Sequence, residues 1–185
     1  MHKHGRSGGG VKQQKYPNSV IKVGAILYQV SAYSYEGKVC IDVNEWHVKT
    51  IRKKRGSQTK KGSKVAEHMK NDALYVNIVQ KVDDVTWGRL SRKVGDIGWY
   101  STIPAFCKKQ FTAGADLPLS IYTTKLQAFK FALHLVNETI DDMEKALRTD
   151  LSSDDRLEYE ADLAQEKLIL KSLKSSYTRF KNRSK

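Results

Sequence analysis

Proline is scarce in this 185-residue chain, with 3 residues, and cysteine scarcer still, with 2. Cys40 and Cys107 form no CxxC pair, so neither a disulfide framework nor a thiolate metal site is expected; two reduced packing residues are. The five histidines (His2, His4, His47, His68 and His134) are scattered, and a structural zinc site needs about four convergent ligands. Neither a metal nor a cofactor is expected. No apolar run approaches the roughly 18 residues of a membrane span, and no apolar stretch follows the charged start as it would in a secretory signal. A cytoplasmic location with no membrane partner is the resulting expectation.

Recognisable catalytic patterns are missing too. There is no HExxH, no phosphate-cradling glycine motif before a helix, and no Ser/His/Asp set with local context. Asp83-Asp84 suits a turn and Asp141-Asp142 an exposed helix. The expectation is a protein without enzymatic activity and without catalytic residues.

The most informative absence is of acid. No Asp or Glu lies between Glu45 and Glu67, and eight cations do: Lys49, Arg52, Lys53, Lys54, Arg55, Lys60, Lys61 and Lys64. The chain carries a net charge of +13, and residues 1–72 hold a net +10 of it, from 15 Lys/Arg against 5 Asp/Glu. A field concentrated in one region draws polyanions and raises their encounter rate. Lysine outnumbers arginine in this region, which favours holding a phosphate backbone over reading bases. Tyr33 and Tyr35 fall on the outward phase of a strand and are candidates for base stacking. A second basic run, Lys171 to Lys185, contains six Lys/Arg and no acid, and offers Lys181 and Arg183 as further contacts. The expected partner is nucleic acid, DNA before RNA. Residues 123–170 carry a net charge of −5, which suits a host protein or a homodimer contact through that segment.

Residues 1–18 read as a basic arm with too little apolar surface to offset ordering entropy. From Val20 the pattern has period two. Ile26 to Tyr33 alternate, Glu36-Gly37 marks a turn, and Val39, Ile41 and Val43 alternate again. A second turn is expected at Asp42–Asn44. Trp46 and Val48 restart the pattern as core residues, and Ile51 is out of phase with them, which predicts a bulge near Thr50. Leu74, Val76 and Ile78 read as a further strand, Val82–Val85 as a hairpin into Thr86–Leu90, and Lys64–Lys70 as a short helical turn. Five short strands favour a closed or nearly closed barrel. For residues 91–118 no element is predicted, although Trp99, Tyr100, Ile103, Phe106 and Phe111 suit a cover over the open side.

The last third reads as helix. Thr124-Lys125-Leu126-Gln127 fits a capping box. Leu126, Phe129, Leu133, Val136, Ile140, Met143 and Leu147 form one heptad seam. A second helix carries a seam of Leu157, Ala161, Ala164 and Leu168, flanked by Tyr159, Leu163, Leu170, Leu173, Tyr177 and Phe180. The short connection predicts an antiparallel hairpin. The domain reading is a basic arm over 1–18 and a β-barrel over 19–122 with its basic loop near 52–64. A helical hairpin follows over 123–181, then a basic tail over 182–185.

Gly24-Ala25-Ile26-Leu27-Tyr28-Gln29-Val30, then Val39–Val43, then Trp46-His47-Val48-Lys49-Thr50-Ile51 resembles the KOW/Tudor-like barrel that opens many phage accessory proteins. Ile121 to Ala128 is similar to the strand-to-helix junction that often follows it. The resemblance implies an α+β chain, a small antiparallel KOW/Tudor/SH3-like barrel followed by the helical hairpin. It also implies DNA binding with little sequence preference, in a host-takeover, nucleoid or transcription-modifying role in the host cytoplasm. KOW-like barrels equally serve RNA and ribosome binding.

Overall fold

A computed structural model describes residues 14, 15, 17, 19–53, 74–82 and 104–183. The expected helical turn at 64–70, the strand at 86–90 and most of the hairpin at 82–85 lie outside these residues. The chain is α+β: a four-stranded antiparallel sheet in the order β1-β2-β3-β4, followed by two helices. The strands are β1 (Ile26–Tyr35), β2 (Lys38–Lys53), β3 (Leu74–Gln80) and β4 (Lys108–Thr112); the helices are α1 (Lys125–Ala146) and α2 (Ser153–Arg183).

β1 turns into β2 through Glu36 and Gly37, whose φ angles are +49° and +73°. Two successive left-handed residues define the turn whose twist matches that of the flanking strands, and glycine takes such a φ without steric cost. β2 then runs unbroken for 16 residues, so the turn expected at Asp42–Asn44 does not form. Asn44 is occupied across the sheet instead: its side-chain oxygen accepts from Gln80 Nε2 at 2.9 Å, and the Glu45 carbonyl accepts from the Lys81 amide at 2.7 Å. Cross-strand pairing overrides the local turn preference of Asp and Asn. The expected bulge does form. Val48 pairs with Ile78 and Thr50 with Asn77, so Lys49 is the extra residue, and Ile51 returns to the face opposite Val76.

The described residues form two compact units, whose boundary cuts through β1 and β2. The sheet unit comprises described residues within Gln14–Tyr28 and Asn44–Thr123. Its core is built on Leu27, Trp46, Val48, Val76, Ile78, Leu117 and Ile121, with Ile51 and Phe111 packed against it. Phe111 therefore belongs to a strand, β4, where the sequence pattern predicts no element. Phe106, expected as cover, is 78% exposed in a short 3-10 turn, Ala105–Cys107. After β4 the chain crosses to the far edge of β1, where Tyr28 and Tyr122 exchange backbone hydrogen bonds of 2.7 and 2.9 Å. Gln14, expected in the basic arm, is tied down here. Its carbonyl accepts from the Leu117 amide at 3.0 Å, and its side chain bonds Thr123. Cys107 is buried, Cys40 is half-buried, and both are free thiols.

The helical unit comprises Gln29–Val43 and the described residues from Thr124 onward. Thr124 caps α1: its hydroxyl accepts the Gln127 amide at 3.3 Å and donates to the Gln127 side-chain oxygen at 3.0 Å. Replacing Thr124 with Ala is expected to cost about 1 kcal/mol of stability, read as a lower urea midpoint with an unchanged slope. Ser152 likewise receives the Asp155 amide at 3.2 Å, and Arg156 Nη1 donates to the Leu147 carbonyl at the end of α1 at 3.3 Å. The helices are antiparallel neighbours. Phe129, near the start of α1, stacks on Phe180 with ring centroids 5.5 Å apart and meets Tyr177 at 6.1 Å. Near the other end, Lys167 pairs with Glu144 at 2.9 Å, which holds the Glu144 carboxyl below its ordinary pKa.

The buried stripe of α2 differs from the expected seam. Ile169 and Leu173 are buried with Tyr177 and Phe180 beside them, whereas Leu157 is 66% and Leu168 53% exposed, and Ala161 and Ala164 are exposed. α2 also continues to Arg183, beyond the expected end of the hairpin at 181. Among the described residues no helix is long and apolar enough to cross a membrane.

Candidate nucleic-acid interface

The bulge that returns Ile51 to the core leaves Lys49 and Thr50 on the opposite face of the sheet. There the registers of β2, β3 and β4 align Thr50, Asn77 and Gln110 in one row. Their side chains are joined: Asn77 Nδ2 donates to Thr50 Oγ1 at 2.9 Å, and Gln110 Nε2 donates to Asn77 Oδ1 at 2.8 Å. This ladder fixes three polar side chains as a flat strip and leaves the outer amide hydrogens for a ligand.

Cations flank the strip. Lys49 and Arg52 stand on β2 and Lys108 on β4, all three exposed, around an open groove of about 450 Å3. Adjacent strands lie ~4.8 Å apart, so the two sides of the groove are separated by roughly 10 Å. Among the described residues no carboxylate pairs with Lys49, Arg52 or Lys108. Lys109 has another role. Its ammonium sits 4.8 Å from the centre of the Trp46 ring, and burial lowers its pKa. Its stem covers the edge of the core, so it adds positive field without presenting a free head group.

Of the cations expected from the sequence, Lys49 and Arg52 are thus brought together, and Lys53 ends β2, exposed, one residue further on. Lys54, Arg55, Lys60, Lys61 and Lys64 lie outside the described residues. Lys108 went unread because Lys109 interrupts the polar–apolar alternation of Lys-Lys-Gln-Phe-Thr that identifies the strand. The remaining expected contacts belong to the helical unit. Tyr33 donates its hydroxyl to Asp42 at 2.9 Å, and this bond to a carboxylate raises its pKa. Tyr35 is 63% exposed beside the Glu36-Gly37 turn. Both tyrosines therefore have an acid as neighbour, which opposes approach of a phosphate backbone. Lys181 and Arg183 are exposed in the last turn of α2, where cations also balance the helix dipole.

Among the described residues no group of three or more His, Cys, Asp or Glu side chains is placed to hold a metal ion. No protein-family model matches the chain, nor does any curated protein or solved structure. The chemistry of the groove is therefore the guide to function.

Proposed function

We propose that this chain is a non-enzymatic DNA-binding protein that holds the phosphate backbone with little sequence preference. The observation that carries the reading is the groove on β2, β3 and β4, where Lys49, Arg52 and Lys108 surround a hydrogen-bonded polar strip. Point charges and a fixed row of amides suit phosphate and sugar contacts, which position a duplex without reading it. Lys54 to Lys64 follow directly in the chain from Arg52 and Lys53, and extend the positive charge available to a polyanion. Lys181 and Arg183 are supplementary backbone contacts in this reading; Tyr33 and Tyr35 are weakened as stacking platforms by Asp42 and Glu36. The sheet is read as a KOW/Tudor/SH3-like barrel, and the protein as a host-takeover, nucleoid or transcription-modifying factor acting in the host cytoplasm.

Competition at fixed salt tests the choice of nucleic acid. Unlabelled duplex DNA of unrelated sequence is expected to displace a labelled duplex about as well as the same sequence does. Structured RNA or single strands that displace it much better would move the function to RNA or ribosome binding. If no polyanion competes, the remaining function is contact with a host protein.

A further inference from the structure

We infer that the chain forms a two-fold symmetric dimer by antiparallel pairing of α2 with α2 of a second copy. The face concerned carries none of the residues that α2 buries. Leu157, Ala161, Ala164 and Leu168 follow one another at spacings of 4, 3 and 4, and Ser172, Ser175 and Arg179 continue the line at 4, 3 and 4. At 3.6 residues per turn these positions form one narrow stripe along the helix. It is the apolar heptad seam of α2, yet its two leucines are 66% and 53% exposed. The α1 contact is made by a different stripe, whose Tyr177 and Phe180 meet Phe129 and on which Ile169 and Leu173 are buried.

Charge along α2 identifies the occupant. Residues 153–166 contain six acids and one base, and residues 167–183 contain six bases and no acid. The helix dipole favours such an order only within the first and last turns, so it does not account for Glu158 and Glu160, or for Lys171, which flank the seam. A second α2 running the opposite way does. With the two-fold axis at Leu168, each acidic half lies on a basic half, and the two macrodipoles oppose.

The same register matches the seam residue by residue. Leu168 meets Leu168 of the partner subunit, Ala164 meets Ser172 of the partner subunit, and Ala161 meets Ser175 of the partner subunit. Small residues facing small residues allow the helix axes to approach to the short end of the usual 8–10 Å range. Glu158 falls beside Arg179 of the partner subunit. The last contact falls on an open groove of about 590 Å3, with Leu168, Ser172, Ser175 and Arg179 on one wall and Val39 and Ile41 on the other. Leu157 of the partner subunit arrives at that groove, and symmetry provides the same seat for the first copy's leucine. The contact is isologous and closed, so it stops at two copies.

Sedimentation equilibrium of the full nuclease-treated chain tests the pairing without reference to DNA. The wild-type chain is expected to convert from monomer to dimer in the micromolar range. Leu168→Glu sets like charges on the two-fold axis at an already exposed position, so a monomer with unchanged helical circular dichroism is expected. Arg179→Glu is expected to weaken dimerisation roughly tenfold or more, because each dimer contains the pair twice. Adding Glu158→Arg to that chain restores it. A chain that stays monomeric at all concentrations overturns the proposal. So does a dimer that Leu168→Glu leaves intact, or one that the double charge swap fails to restore. None of these outcomes bears on the sheet groove, whose DNA binding is read separately.

Discussion

Changing Lys49, Arg52 and Lys108 together to Gln is expected to weaken binding to duplex DNA roughly 100-fold or more near 0.1 M salt. Each phosphate neutralised by a lysine or arginine releases counterions and contributes about 0.9 to the slope of log K against log salt. Three lost contacts should therefore flatten the slope by about 2.7. All three side chains are exposed and none pairs with a carboxylate among the described residues. Stability should stay within about 0.5 kcal/mol of wild type, since surface positions outside caps and networks tolerate substitution. Retained melting temperature with lost affinity separates a binding role from a folding role. Unchanged affinity would mean that the groove is a solvated surface.

The second large effect concerns the other side of the same strands. Replacing Trp46 with Ala is expected to destabilise the sheet unit by about 3–5 kcal/mol. Trp46 is 1% exposed, pairs in register with Gln80, and carries the Lys109 ammonium against its ring. Its removal leaves a cavity among Leu27, Val48, Ile78 and Ile121 and strips Lys109 of the surface that shelters its stem. Total stabilities of folded domains are about 5–15 kcal/mol, so this one change consumes a large share. Denaturant unfolding should show a markedly lower midpoint. DNA affinity should fall with the folded fraction, because the strip of Thr50, Asn77 and Gln110 exists only while β2, β3 and β4 remain paired.

Features set by neighbouring residues were legible in the sequence itself. The Glu36-Gly37 turn, the Thr124 cap with Gln127, and the bulge that rescues the phase of Ile51 are all local. Features that depend on a partner distant in sequence were not. Asp42-Val43-Asn44 has turn composition, but Gln80 draws Asn44 into a continuous strand. The periodicity of α2 offers two adjacent stripes. Leu157 to Leu168 matches the stronger pattern, whereas packing against Phe129 selects the stripe containing Tyr177 and Phe180.

The candidate site divides in the same way. Lys49, Arg52 and Lys53 were evident as members of an acid-free run, since charge is visible without a fold. Lys108 was not, because only the β3–β4 register brings it to Val79 and hence to the groove. The ladder that turns scattered cations into a surface joins residues 50, 77 and 110, and no spacing rule relates them. The reading of the acid-free run thus gains a fixed base on the sheet, with Lys49 held out by its bulge.

A salt titration decides whether this base holds a phosphate backbone. Binding of the wild-type chain to a duplex of arbitrary sequence is measured from low to moderate salt. If about five phosphates are neutralised, the log–log slope is about −4.5. The same slope on an unrelated duplex is expected, because backbone contacts do not read sequence. A flat response, or no binding at low salt, would mean that the groove holds no phosphate backbone.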